Sequence, residues 1–400
     1  MDPENSAPLG VNLIAYIRAE MGLGTAARGL ALAMESAKIP FNVINFEYQN
    51  LSLHRDTEWQ HKEVGSSSHD FTILAVNPDN IFNARDRAQK QFVRDRYTIG
   101  YWFWELPEFP DAWLPAFSLV DEVWTASCFV QDSISLKSPV PVWRLPMAVR
   151  LGPADKFSRA SFSLPKRQFL FLSMSDTHST LERKNPLGAV RAFKKAFSGN
   201  NRRVGLVLKI NNVGSVYADN EAIAQLKEEI ADYRNIYFLD REMTRAEIDS
   251  LLAVSDCFIS LHRSEGFGLG PAEAMSLGKP VILTNWSGNT DYMTIHNSIG
   301  IDYQLIPVGR VFGHYQPDQI WADPDLEQAA YWMKHLAQDD QLARRIGLLG
   351  QETIRNKFSP EVVGKLIHRR LHYLKTTVLS RRNIDSHDND TSLDAISDTD

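Results

Sequence analysis

The sequence predicts an α/β protein made of two doubly wound domains of parallel strands that face one another, and three observations carry that expectation. Short apolar runs alternate with amphipathic helical stretches along most of the chain, the pattern of successive βαβ units. The alternation is interrupted between Val149 and Lys166, where Gly152, Pro153, Ser158, Ser161, Ser163 and Pro165 leave no periodicity. The length of 400 residues exceeds one ordinary core and suits two domains of roughly 150 to 200 residues each.

In the first series VNLIAYI (11–17), FNVINF (41–46), FTILAV (71–76), TIGYWFW (98–104) and EVWTAS (122–127) read as strands, with helices expected over Thr25 to Ser36 and Ala84 to Asp95. The second series has strands at QFLFLSM (168–174), VGLVLKI (204–210), NIYFLD (235–240), DCFISLH (256–262) and PVILTN (280–285). The expected division is 1–152 for the first domain, 153–165 for a linker and 166–359 for the second domain. From Arg381 the chain has six aspartates, two arginines and three large apolar residues, so 381–400 reads as a disordered acidic tail. In open α/β sheets ligands bind beyond the carboxyl ends of the strands, so chemistry is expected in the loops that follow these runs.

Composition narrows the function. With 44% hydrophobic and 23% charged residues the chain is that of a soluble globular protein, and its net charge of −6 argues against a nucleic-acid partner. Cys128 and Cys257 lie in apolar stretches without metal-ligand spacing and are expected to be buried, reduced thiols. No basic-then-apolar leader and no long apolar run is present, so the expected location is cytoplasmic, with at most peripheral contact at the inner face of the cell membrane.

The densest signal follows the strand DCFISLH, in RSEGFGLGPAEAMSLGKPVILTN. Pro271 suits a first helical turn and Gly278 a C′ position, which puts Glu265 at the strand exit and Glu273 in the first turn of a helix. Between them Gly266, Gly268 and Gly270 let backbone N–H groups approach a ligand. Carboxylates accept hydrogen bonds from vicinal hydroxyls, so the pair suits a ligand with sugar, phosphate and ribose parts. Alone, Glu273 is better explained as an acidic residue favoured by a helix N-terminus.

This segment resembles the signature of retaining GT-B glycosyltransferases of family four, the glycosyl transferases group 1, whose two glutamates are separated by seven residues. The resemblance implies two Rossmann-like domains facing across a cleft, with the last helix, here within 360–378, crossing back to the first domain. It implies that Glu265, Gly266, Phe267, Gly268 and Leu269 lie by the donor sugar and diphosphate, and that Glu273 binds the ribose. The co-substrate it implies is a nucleotide-diphosphate sugar, and the acceptor a saccharide or lipid-linked saccharide in bacterial surface polysaccharide synthesis.

Other residues fit this frame. Asn185 can cap and Pro186 can start a helix after QFLFLSM, so Arg183 and Lys184 sit at a helix N-terminus where cations make a phosphate site. A solvated surface pair is the alternative. Lys184 matches the family lysine, and Lys209 at the end of VGLVLKI is a second candidate cation. Arg241, after NIYFLD, lies where such enzymes hold the base. Gly22 and Gly24, with Ala27, formally match a dinucleotide fingerprint with Glu47 downstream, which keeps an NAD-dependent oxidoreductase open. The resemblance instead places both glycines on the cleft. Glu105, ending IGYWFWE where relatives carry a histidine, is expected to face the cleft, for acceptor binding or proton transfer. Trp102 and Trp104 are either a buried strand or a sugar-stacking platform. Ser287 to Thr290 are either a polar turn or a diphosphate loop.

The leaving diphosphate needs stabilised negative charge. The acidic runs DPD (323–325), read as loop, and DND (388–390), in the tail, are explained by solvation, so no metal and no other cofactor is expected. The catalytic candidates are then Lys184, Glu265 and Glu105. A nucleotide-sugar 2-epimerase of the same fold and a non-catalytic sugar-binding relative are the remaining alternatives.

Overall fold

A computed structural model describes residues 9–48, 50, 52–65, 69–87, 96–150, 156–215 and 220–380. The first series forms a six-stranded parallel sheet from β1 (Val11–Ala15), β2 (Phe41–Asn45), β3 (Phe71–Ala75), β4 (Tyr97–Trp102), β5 (Glu122–Thr125) and β6 (Val142–Arg144). Their spatial order is β2-β1-β3-β4-β5-β6. Its helices include α1 (Gly22–Ser36), α2 (Ile81–Arg87) and α3 (Cys128–Ser135). β1 and β3 are buried on both faces, which is why they read as apolar runs interrupted only by the buried Asn12 and Thr72.

The second series builds another six-stranded parallel sheet from β7 (Phe169–Asp176), β8 (Val204–Asn211), β9 (Ile236–Leu239), β10 (Cys257–Ser260), β11 (Val281–Thr284) and β12 (Ile299–Ile301). Its order is β12-β11-β10-β7-β8-β9. An antiparallel hairpin, β13 (Tyr303–Pro307) with β14 (Ile320–Pro324), follows. The helices are α4 (Pro186–Ala196), α5 (Asn220–Ile230), α6 (Arg245–Val254), α7 (Leu269–Ser276), α8 (Leu326–Gln338), α9 (Asp340–Phe358) and α10 (Pro360–Tyr373). Strand order reverses between β1 and β3 in one sheet and between β7 and β10 in the other, the points where open α/β sheets leave a crevice.

α10 leaves the second series and packs on α1 of the first. Ser36 Oγ donates to the Pro360 carbonyl at 3.0 Å, and Gly364 lies so close that a Cβ would strike the Ala33 carbonyl. Val363, Ile367 and Leu371 are fully buried there.

Several expectations change. β6, β12 and the hairpin are strands the apolar-run reading passed over. β6 and β12 have three residues each, flanked or interrupted by Pro141 and Gly300, too short to register as runs. Asp323 lies in β14 and Asp325 caps α8, so DPD is not a loop. Cys257 is buried but Cys128 is exposed, because it opens α3 and points outward. Residues 159–162 form a 3-10 turn whose Phe162 is buried, within the stretch expected as linker. Residues 88–95, 153–155 and 381–400, with the expected helix end, the linker start and the acidic tail, lie outside the described residues. Among those described, no helix is long and apolar enough to cross a membrane.

Candidate functional site

A cavity of about 270 Å³ opens between the two sheets, at the carboxyl ends of their strands. Glu20, Met21, Gly22, Thr25 and Arg28, with Asp56, line it from the first half. From the second half come the end of β7 (Met174 to Asp176), Lys184, Asn211, Arg245, Ser260, Glu265, the segment Gly268 to Pro271 and Glu273.

Lys184 ends a single helical turn, Leu181–Lys184, and Asn185 then caps α4 by accepting from the Gly188 N–H. That break in the helix is possible because Asn185 takes a left-handed conformation with φ of 51°, which asparagine tolerates. It sets Lys184 Nζ 2.6 Å from Glu265 Oε1, while Arg183 Nη1 stands 3.3 Å from Glu265 Oε2. Burial pushes the Glu265 carboxyl up, but Lys184 and Arg183, with His262, pull it further the other way, down to about 2. Ser287 Oγ accepts from the Glu265 N–H at 2.8 Å, and Gly288 N–H donates to the Glu265 carbonyl at 2.9 Å. The loop 287–290 thus holds the backbone of Glu265 in place and does not line the cavity.

α7 begins at Leu269, not near Pro271, so Glu273 lies in its second turn and no acidic residue occupies the first. The start is set by Gly268, at φ of 81°, whose carbonyl accepts from the Tyr292 hydroxyl at 2.7 Å. A side chain at Gly268 would be strained by that φ and would meet the Tyr292 hydroxyl. Leu269 and Gly270, the first residues of α7, therefore line the cavity where a helix N-terminus leaves N–H groups without an intrahelical partner, an anion-favouring terminus. Glu273 is buried against Arg245 at 2.8 Å. Burial pushes its carboxyl up and Arg245 pulls it part of the way back.

Other expected residues are placed elsewhere. Lys209 is fully buried, because β8 runs on to Asn211 and the lysine lies inside the strand; its Nζ meets the Asn211 side chain. Burial pulls its ammonium down to about 8, and Asn211, not Lys209, lines the cavity. Arg241 is half exposed and pairs with Glu247 at 2.7 Å, away from the cavity. Gly22 lines the cavity, whereas Gly24 is packed so tightly on the Ala19 carbonyl that a Cβ would collide with it. Both lie inside the first turn of α1. The Gly266 carbonyl accepts from Ser127 Oγ at 2.6 Å and the Phe267 ring packs on Tyr292 and Phe358, and neither residue lines the cavity. Arg183 is buried behind Glu265. Glu105 joins that buried cluster without lining the cavity. Trp102 and Trp104 are core residues, 0% and 2% exposed, which rules out a stacking platform at either ring. Glu47 lies outside the cavity lining and accepts from Asn45.

Sequence reasoning passed over Arg245, Arg28 and Asp56. Arg28 and Asp56 pair at 3.2 Å on the first-half wall, facing Arg245 and Glu273. A signal for Arg245 was present: Thr244 and Glu247 form a capping box that marks a helix start just after β9. Among the described residues no group of three or more His, Cys, Asp or Glu side chains is arranged to hold a metal ion.

Residues 155–304 match the sequence model of the family described as glycosyl transferases group 1, so this stretch is a glycosyltransferase domain. No curated protein sequence matches the chain significantly. Among solved structures the chain is similar to HepE of Anabaena in complex with UDP and glucose, at 14% identity and TM-score 0.64, over 92% of this chain and 100% of that one. It is also similar to sucrose-phosphate synthase from Thermosynechococcus elongatus, at 14% identity and TM-score 0.66, over 92% and 99%. A glycosyltransferase from Rickettsia africae aligns at 14% identity and TM-score 0.65, over 93% and 100%. These likenesses establish the architecture as GT-B, two parallel six-stranded sheets facing across a cleft.

Proposed function

We propose that this chain, a GT-B protein bearing a glycosyl transferases group 1 domain, moves a hexose from a nucleotide-diphosphate sugar to a saccharide or lipid-linked saccharide acceptor, with retention of configuration and without a metal. The observation that carries this reading is the pairing of Lys184 with Glu265 at one end of the cavity and of Arg245 with Glu273 at the other, with the α7 N-terminus between them. A diphosphate needs cations and N–H donors, which Lys184 and residues 269–270 supply. A ribose needs a hydroxyl acceptor, which Glu273 supplies. A sugar at the Lys184 end meets Glu265, ionised at every physiological pH. HepE, solved with UDP-glucose, lends the fold this donor class.

In the reaction the bond from the sugar anomeric carbon to the β-phosphate oxygen breaks as the acceptor oxygen bonds that carbon from the same face. The acceptor proton passes to the departing phosphate oxygen. Lys184 is the residue placed to neutralise the charge that grows there, and Glu265 to orient the sugar hydroxyls. We assign the acceptor to residues 1–152 with 360–378, the donor to 166–359, and the protein to surface polysaccharide synthesis at the cytoplasmic face of a membrane. Thermal stabilisation by UDP-, GDP- and ADP-sugars tests this, since a bound donor raises the melting temperature by mass action. The matching nucleoside diphosphate should then appear as product with a saccharide acceptor. No stabilisation by any of the three would overturn the proposal.

A further inference from the structure

Glu105 follows β4 in the first half of the molecule, and three of its contacts come from the second half. Its backbone carbonyl accepts from Ser264 Oγ. One carboxylate oxygen accepts from the Tyr315 hydroxyl at 2.8 Å, and the other stands 3.9 Å from Arg183 Nη2. Arg183 is 4% exposed and gives Nη1 to the Ser264 carbonyl at 2.8 Å and to Glu265 at 3.3 Å, and Nη2 to Ser179 Oγ at 2.6 Å. A buried guanidinium is thus shared by two carboxylates, one from each half. Tyr315 belongs to the loop between β13 and β14, which crosses the cleft: its ring lies 5.3 Å from that of Trp104, His314 lies 5.0 Å from Trp113, and Gln319 Nε2 donates to the Glu108 carbonyl at 3.0 Å. Glu105, Tyr315 and Arg183 do not line the cavity.

We propose that Glu105 and Tyr315 are positioning residues, a latch that fastens the hairpin loop 308–319 to the first half and, through Arg183, holds Glu265 in the orientation that Lys184 and the donor require. The kinetic half of this inference rests on the glycosyltransferase reading; the latch does not. When the donor diphosphate draws Lys184 off Glu265, Arg183 is the cation left on that carboxylate, and a buried charge holds its place only while its own partners are fixed. The phenol hydroxyl supplies that fixation by occupying the second oxygen of Glu105, leaving the first for Arg183. Because Glu105 reaches Arg183 only across the cleft, the arrangement links apposition of the two halves to the geometry at Glu265.

The test uses full-length Tyr315→Phe and Glu105→Gln, both close in shape to the originals, so that ring packing on Trp104 is kept. Hydrogen exchange should quicken in both 103–113 and 308–319 for each variant. With the best donor, kcat should fall about tenfold while nucleoside diphosphate affinity stays within about twofold, because the cavity wall is untouched. Unchanged exchange in both segments would overturn the latch. An unchanged kcat, or a loss of nucleoside diphosphate affinity equal to that in kcat, would overturn the positioning role. A wild-type protein that neither binds nucleoside diphosphates nor turns over any donor would sink the glycosyltransferase reading instead, and the exchange data would still decide the latch.

Discussion

Arg245 holds its guanidinium 2.8 Å from the buried carboxylate of Glu273, and both side chains face the cavity from adjoining helices. The pair makes Glu273 an oriented acceptor for a diol, at the expense of burying a charge. Replacing Glu273 by Gln keeps the shape and leaves Arg245 with its second partner, Asp249. Nucleoside diphosphate affinity is expected to fall about 20-fold, or about 2 kcal/mol for a hydrogen bond to a charged group, with little change in melting temperature. Arg245→Ala should lose both, since it strands a buried carboxylate. Titration calorimetry beside thermal denaturation separates the two, and an unchanged affinity in Glu273→Gln would remove the ribose assignment.

Lys184→Ala is expected to slow transfer about 100-fold, the scale of removing one preorganised donor from a developing anion. Binding of a nucleoside diphosphate should suffer less, because the α7 N-terminus still meets the phosphates. Glu265 keeps Arg183 in the variant, so the site should stay folded. Single-turnover rates beside equilibrium affinity check the split. Equal losses in both would make Lys184 a general anchor with no special hold on the leaving group.

What could be read from the sequence was local. Alternating runs give both sheets, and a strand exit followed by a glycine-rich helix start points to Glu265 and Glu273 as neighbours, both of which line the cavity. Side-chain direction was not legible. Lys209 stood near the end of the run 204–210, but β8 continues to Asn211 and the lysine is fully buried inside the strand. Phe267 sits in the signature loop, yet its ring turns toward Phe358. The hairpin loop that brings Tyr315 to Glu105 leaves no trace in periodicity, because its contact joins residues 210 apart in the chain.

The two glutamates should answer acid in opposite senses. Glu265 has a folded-state pKa of about 2 against an ordinary 4.5, so its contribution to stability is complete above pH 4.5 and is lost as pH falls toward 2. Glu273 is raised above 4.5, so its contribution is present below that pH and is lost as pH rises through the folded value. Urea denaturation between pH 3 and 7 should therefore show Glu265→Gln losing less stability on acidification than wild type, and Glu273→Gln losing more. Parallel curves for the three proteins would contradict the electrostatics drawn here.

Gly364→Ala tests the return of α10 onto α1. The added methyl would strike the Ala33 carbonyl, which is helix backbone with little freedom to move, and would crowd Ala37 and Ser36 Oγ. Overpacking of this kind costs about 2 kcal/mol, and a matched change at exposed Lys365, such as Lys365→Ala, should cost almost nothing. α1 also carries Gly22, Thr25 and Arg28 to the cavity wall, so a displaced α1 should weaken nucleoside diphosphate binding although residue 364 is not part of that wall. Loss of stability together with affinity in Gly364→Ala, and of neither in Lys365→Ala, is the expected result. A Gly364→Ala protein as stable as wild type would mean that α10 does not hold α1 in solution.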